Sequence, residues 1–209
     1  MKFKHPVTPA DMNEALASLC NELSPNFRPV YVDVRPAESA ATDDCLELVE
    51  EQVSNAGGKV ILGWSLWEIP GLFVEAEFLA VWQLPSGEMV DIAPKTRQTQ
   101  RILFLQDPSA RYKRPRAHLV RRAINQDQEV LAYFQAYDDM VNFMDQGQRI
   151  LPNGEIQLDD DERAEYSRMQ QRLATLHTRL SPRFPSFGPY TACWCGSGKK
   201  MKWCHRSFP

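Results

Sequence analysis

The chain has 209 residues, with 27 acidic side chains against 24 basic ones for a formal charge of −3. At 43% hydrophobic and 24% charged residues it can bury one sizeable core, and no apolar run approaches the roughly eighteen residues a membrane span needs. The charge is uneven: residues 181–209 carry five basic side chains and no acid, which leaves −8 on the remainder and marks the C-terminus as a separate electrostatic object.

The opening MKFKHPVTPADMNEAL has two lysines but lacks the apolar block and small-residue cleavage site of a secretory signal, so the expected location is the cytoplasm. Thr8, Pro9 and Asp11 read as N-cap, first-turn proline and first-turn acid of a helix with Met12, Ala15, Leu16, Leu19 and Leu23 at helical spacing. YVDVR (31–35) reads as a strand. Asp43 then caps a second helix whose apolar face holds Cys45, Leu46, Val49 and Val53, and which Gly57 and Gly58 stop. The centre changes character. KVILGWSLWEI, FVEAEFLAVWQL, EMVDI and RILFL are rich in β-branched, leucine and aromatic residues and read as strands. Leu84, Pro85, Ser86, Gly87 and Glu88 form a hairpin turn between two of them, so the sheet is at least partly antiparallel. Trp64, Trp67 and Trp82 read as packing residues, and Glu68, Glu75 and Glu77, alternating along the strands, as a solvated face.

RYKRPRAHLVRR (111–122) holds six basic residues and no acid; it reads as a solvated loop and helix start that together with the tail raises contact with RNA or the ribosome. Two long helices follow. One runs over about 123–144 with Ile124, Leu131, Phe134, Tyr137, Val141 and Met144 inward. The other spans about 160–180, with acids at its positive end and an apolar seam of Tyr166, Met169, Leu173, Leu176 and Leu180. Residues 181–190, with three prolines and a glycine, read as a linker. The expected organisation is therefore an α+β body at 1–122 with a mostly antiparallel sheet and flanking helices, a helical extension at 123–180, the linker, and a small tail module at 191–209. On this reading the tail adds little to the core, and a chain ending at residue 181 unfolds near the full-length midpoint.

The tail concentrates chemistry. CWCGSGKKMKWCH places Cys193, Cys195, Cys204 and His205 in a C-x-C-x8-C-H pattern. Three thiolates and one imidazole match the donors of a closed tetrahedral zinc site, which leaves no open position and so holds shape. Gly196 and Gly198 permit the tight turn between the pairs, and Lys199, Lys200 and Lys202 offset the −1 of a three-thiolate zinc. The competing readings are a disulfide, which a reducing compartment disfavours, and an iron–sulfur cluster, which usually takes four thiolates at other spacings.

At these residues the chain resembles the SEC-C motif, CxCGSGKKxKxCH, the zinc-binding tail of the SecA translocation ATPase and of many otherwise unrelated bacterial proteins. Trp194 stands where that family often has proline. The resemblance covers about twenty residues and implies one structural zinc and a basic surface for a protein partner such as an export chaperone or the ribosome. The ATPase itself is not expected, since no G-x-x-x-x-G-K-[ST] loop is present.

The central block is similar to bacterial SEC-C-linked proteins whose segment reads EAEFHAVW followed by a DITP-like strand. That resemblance implies a papain-like cysteine, histidine and aspartate, which map to Cys45, Leu79 and Asp91. Leucine cannot accept a proton, so no catalytic residue is assigned. The leading reading is a zinc-binding adaptor, and the alternative is a thiol-dependent hydrolase or transferase that uses Cys45, with the tail as a docking tag.

Overall fold

The computed structural model describes residues 5–37, 45–95, 99–111, 119–146, 149, 155–193 and 197–204. In chain order the elements are α1 (Glu14–Leu23), β1 (Val30–Val34), α2 (Cys45–Ala56), β2 (Lys59–Ile69), β3 (Phe73–Gln83), β4 (Met89–Asp91), β5 (Arg101–Gln106), β6 (Leu119–Ala123), α3 (Gln128–Gln146), α4 (Asp160–Leu180) and the short α5 (Met201–Cys204). The protein is thus α+β with a mostly antiparallel sheet, and the one parallel pairing among the described residues joins β1 to β4.

The sheet closes on itself, which the sequence did not indicate. Hydrogen bonds run from β2 to β5, β1, β4, β3 and back to β2, making a five-stranded barrel-like ring, while β6 adds to the first half of β3. Closure removes the unpaired edges that two eleven-residue strands would otherwise present. The β2–β3 hairpin forms because both strands are built of β-branched and aromatic residues and meet at Gly71, whose φ of 79° a side chain would strain. The Leu84–Glu88 turn is where it was expected, closed by the Leu84 N–H donating to the Glu88 carbonyl at 2.8 Å. Gly63 has a different reason. A Cβ there would lie 2.3 Å from the Leu105 carbonyl oxygen and 2.6 Å from the Phe104 ring, so its absence lets β5 approach β2.

Strand alternation sorts the side chains. Val32, Trp67, Leu79, Val81, Ile102 and Phe104 meet inside the ring. On the outer face Leu16 and Leu19 of α1 pack on Trp64, Leu66, Val74 and Phe78, and Leu48 and Val49 of α2 pack on Ala80, Val90 and Ile92. Trp64 and Trp67 are core residues, as their composition suggested.

Three local expectations are corrected. Asn13, not Thr8, caps α1: its side chain accepts from the Leu16 N–H, whereas Thr8 is fully buried and donates to the Arg101 carbonyl at 2.9 Å. Val7 makes a two-way backbone bridge with Glu68, so residues before the helix extend the sheet instead of starting a turn. Next, the end of the basic run is strand β6, and α3 begins only at Gln128, capped by Asp127; Val130 is therefore buried and Leu131 exposed. Asp43, read as the α2 cap, lies outside the described residues.

Helices α3 and α4 lie antiparallel, because Phe143 stacks on Tyr166, Asp139 pairs with Arg172 and Tyr133 faces His177, one index falling as the other rises. The α4 boundaries match the expectation, with a capping box in which Asp159 and Glu162 satisfy each other's backbone N–H. Residues 181–190 are packed on the body at their start: Ser181–Arg183 forms a 3-10 turn, Phe184 is 4% exposed against Ile69, Phe73 and Phe134, and Arg183 pairs with Asp127 and Glu129. Phe184 belongs to the core, so removing everything after residue 181 opens that core. No helix among the described residues is long and apolar enough to cross a membrane.

Candidate metal centre

Backbone hydrogen bonds join residues 188–193 to residues 197–204 in a knuckle. The Cys193 N–H donates to the Lys199 carbonyl at 2.8 Å, Ala192 and Lys200 form an antiparallel bridge, and Met201 and Lys202 donate back to Thr191 and Pro189 at 3.0 Å each. Gly198, at φ 72°, supplies the left-handed step the turn requires. From the turn the chain enters α5, which ends on Cys204. Cys193 and Cys204 are consequently buried in one small core with Met201, Val7 and Phe187. Ser197 Oγ lies 3.0 Å from Cys204 Sγ, and Cys204 Sγ lies 3.6 Å from Gln100 Oε1.

Of the four expected ligands, the structure brings together Cys193 and Cys204. Cys195 and His205 lie outside the described residues, and no group of three or more metal-binding side chains occurs among those that are described. The donor chemistry fits a structural zinc: two thiols reach one core from opposite ends of a glycine turn, each with its remaining partner next to it or two residues away in the chain. No disulfide joins cysteines among the described residues.

Sequence reasoning missed the aromatic part of this surface. Tyr190 and Trp203 are 63% and 51% exposed, and Lys202 Nζ sits 4.3 Å and 4.6 Å from their ring centres, with Lys200 Nζ 6.0 Å and 5.5 Å away. The signal was present in KKMKW: α5 turns Trp203 outward beside lysines that were read for charge alone. A lysine held over an aromatic face is positioned before it meets a partner.

The second set of residues concerns the thiol reading. Cys45 starts α2 and packs with both the barrel interior, which contains Leu79, and the cluster containing Val90 and Ile92 on either side of Asp91. Cys45 thus borders the cluster that holds Leu79 and the cluster that holds the chain neighbours of Asp91. Leu79 is 4% exposed and apolar, and Asp91 is engaged: burial pushes its carboxyl pKa up, while Lys95 Nζ, 2.7 Å away, and the Ala93 N–H favour its charged form. Cys20 is a buried core thiol, pushed up to about 11 by desolvation.

The carboxylates expected on a solvated face are largely inside. Glu68 is 9% and Glu75 3% exposed, because β6, α1 and the helical pair cover strands that sequence alternation alone leaves open. Glu75 pairs with Arg121, whose guanidinium lies 3.8 Å over the Tyr137 ring. The described residues of the basic run are engaged within the protein: Arg121 pairs with Glu75, Arg122 pairs with Glu22, and Arg111 donates to the carbonyls of Pro108, Ser109 and Ala110. Residues 112–118 lie outside the described set.

No protein-family model, no curated protein and no solved structure matches the chain.

Proposed function

We propose that the chain is a cytoplasmic docking protein, in which a SEC-C-like tail held by one zinc ion at Cys193, Cys195, Cys204 and His205 presents a basic and aromatic face to an acidic protein partner of the chaperone, translocation or ribosome-associated kind. The observation that carries this reading is the burial of Cys193 and Cys204 in one core, in the same knuckle that exposes Tyr190 and Trp203 with their lysines. The ion would supply no reaction. It would tie the two arms of the knuckle together, with an apparent binding free energy on the order of 10 to 16 kcal/mol of the kind that folds small zinc peptides. Side chains ordered in this way lose less entropy on encounter than a disordered basic peptide does.

Affinity capture from lysate tests the reading. The full-length protein retains a partner that the Lys200→Glu, Lys202→Glu double variant loses, and rising salt reproduces the loss. Retention by the variant moves docking away from the knuckle, and capture abolished by RNase makes the partner an RNA.

A second reading, a thiol-dependent hydrolase using Cys45, draws on the packing of Cys45 against the cluster that holds Leu79 and the cluster that holds the chain neighbours of Asp91. An aliphatic side chain at the base position and an aspartate engaged by Lys95 make it the weaker one. A hydrolase activity of the natural protein that disappears in Cys45→Ala would reverse the order of the two.

A further inference from the structure

Two polar side chains approach Cys204 Sγ among the described residues, one from the tail and one from the body. Ser197 Oγ, in the glycine turn of the knuckle, lies 3.0 Å away. Gln100 Oε1, in the segment that leads into β5, lies 3.6 Å away in a part-buried contact. The segment that carries Gln100 is fixed in the body. The Gln100 carbonyl accepts from the Val34 N–H at the end of β1 at 2.9 Å, and the carbonyl of its neighbour Arg101 accepts from Thr8 Oγ1 at 2.9 Å. Thr8 is fully buried. Val7 beside it exchanges two backbone hydrogen bonds of 2.8 Å with Glu68 of β2, and its side chain shares the small core of Cys193, Met201 and Cys204. Val7 and Gln100 therefore bring the body to the buried thiol, on segments that are hydrogen-bonded to each other.

A protonated Cys204 donates to the Gln100 side-chain carbonyl. A metal-bound cysteine is a thiolate and has no proton to give, so it accepts instead. Both neighbours have a donor for it. Ser197 Oγ accepts from the Lys199 N–H at 3.4 Å and keeps its O–H to donate, and Gln100 presents its amide N–H in place of its carbonyl by rotation about the last side-chain bond. Donors of this kind fix the direction of a ligand and tune its bond to the metal.

We propose that Gln100 is a positioning residue of the metal centre, donating from the body to the Cys204 thiolate, so that the ion is held by a site built across tail and body and not by the tail alone. This rests on the zinc reading. It adds a residue from far outside the C-x-C-x8-C-H pattern, and it links metal occupancy to the seating of the knuckle on the segments beside β1 and β5.

Competition with a chromophoric chelator, in high salt to screen exposed charge, measures the zinc affinity of the full-length natural protein and of Gln100→Leu, Gln100→Lys and Gln171→Leu. Gln100→Leu keeps bulk without a donor and weakens zinc by about tenfold or more. Gln100→Lys restores a donor without the shape and regains most of the loss. Gln171→Leu, on the exposed face of α4, changes nothing. With cobalt(II) in place of zinc, the thiolate-to-metal charge-transfer band moves in Gln100→Leu and returns in Gln100→Lys. Hydrogen exchange needs no variant: stripping zinc from the natural protein speeds exchange of the Val7 and Val34 N–H groups, whose bonds hold the two body segments in place. A natural protein that takes up no zinc overturns this inference and the zinc reading together. If the natural protein binds zinc, the inference alone is overturned by a Gln100→Leu protein that binds it as tightly, by a Gln100→Lys protein that matches Gln100→Leu in affinity and band, or by exchange at Val7 and Val34 that ignores the metal.

Discussion

Glu68→Gln should make the protein more stable, and only above mildly acid pH. Glu68 is 9% exposed on β2, takes a hydrogen bond from Asn13 Nδ2 at 3.1 Å, and is pushed up from its ordinary 4.5 to about 7 by desolvation, with the charge of Asp11 adding to the effect. A folded-state pKa above the unfolded one means that the native protein holds this proton more tightly. The group is therefore harmless below about pH 4.5, becomes a growing penalty as the pH rises from there to about 7, and costs a constant amount beyond. At about 1.4 kcal/mol per pH unit, the rise from 4.5 to about 7 bounds that cost at ~3 kcal/mol. Glutamine is neutral throughout and its carbonyl still accepts from Asn13. Urea unfolding of both proteins at pH 4.5, 5.5, 6.5 and 8 should show curves that nearly coincide at the acid end and separate in favour of Glu68→Gln by up to ~3 kcal/mol at pH 8. A gap that stays constant with pH, or a variant less stable at pH 8, would refute the reasoning.

Phe184→Ala should cost about 3 to 5 kcal/mol, the usual range for emptying a buried aromatic site, and urea midpoints at constant slope will measure it; a loss under 1 kcal/mol would detach the residue from the core. A chain ending at residue 181 should unfold at distinctly lower urea than one ending at residue 190, since the longer chain keeps Phe184 and the Arg183 pairs. Gly63→Ala should destabilise the barrel by roughly 1 to 3 kcal/mol in thermal unfolding, because the new methyl meets the Leu105 carbonyl and the Phe104 ring where strands must stay close.

What could be read from the sequence was what depends on neighbours along the chain. β2, β3 and their turns carry β-branched and aromatic residues punctuated by glycine at positive φ, and α4 carries its own capping box, so each was legible in place. β6 was not, because LVRRA looks like a charged loop until Glu75 and Tyr137 arrive from distant segments to receive Arg121. Ring closure was hidden for the same reason: it rests on the parallel β1–β4 and the long-range β2–β5 pairings, which leave no local periodicity. Thr8 had the chemistry of a cap and was taken instead by the Arg101 carbonyl. In the tail the ligand spacing is local and readable, whereas the packing of Cys193, Met201 and Cys204 on Val7, 186 to 197 residues earlier in the sequence, is not.

The claim that the tail is a zinc knuckle is tested most directly by elemental analysis of full-length protein purified without chelator. The account predicts close to one zinc per chain, falling towards zero when Cys193 and Cys204, the two thiols that share the buried core, are both replaced by serine. A natural protein that holds no zinc and takes up none on reconstitution, or a double variant that keeps its zinc, would contradict it.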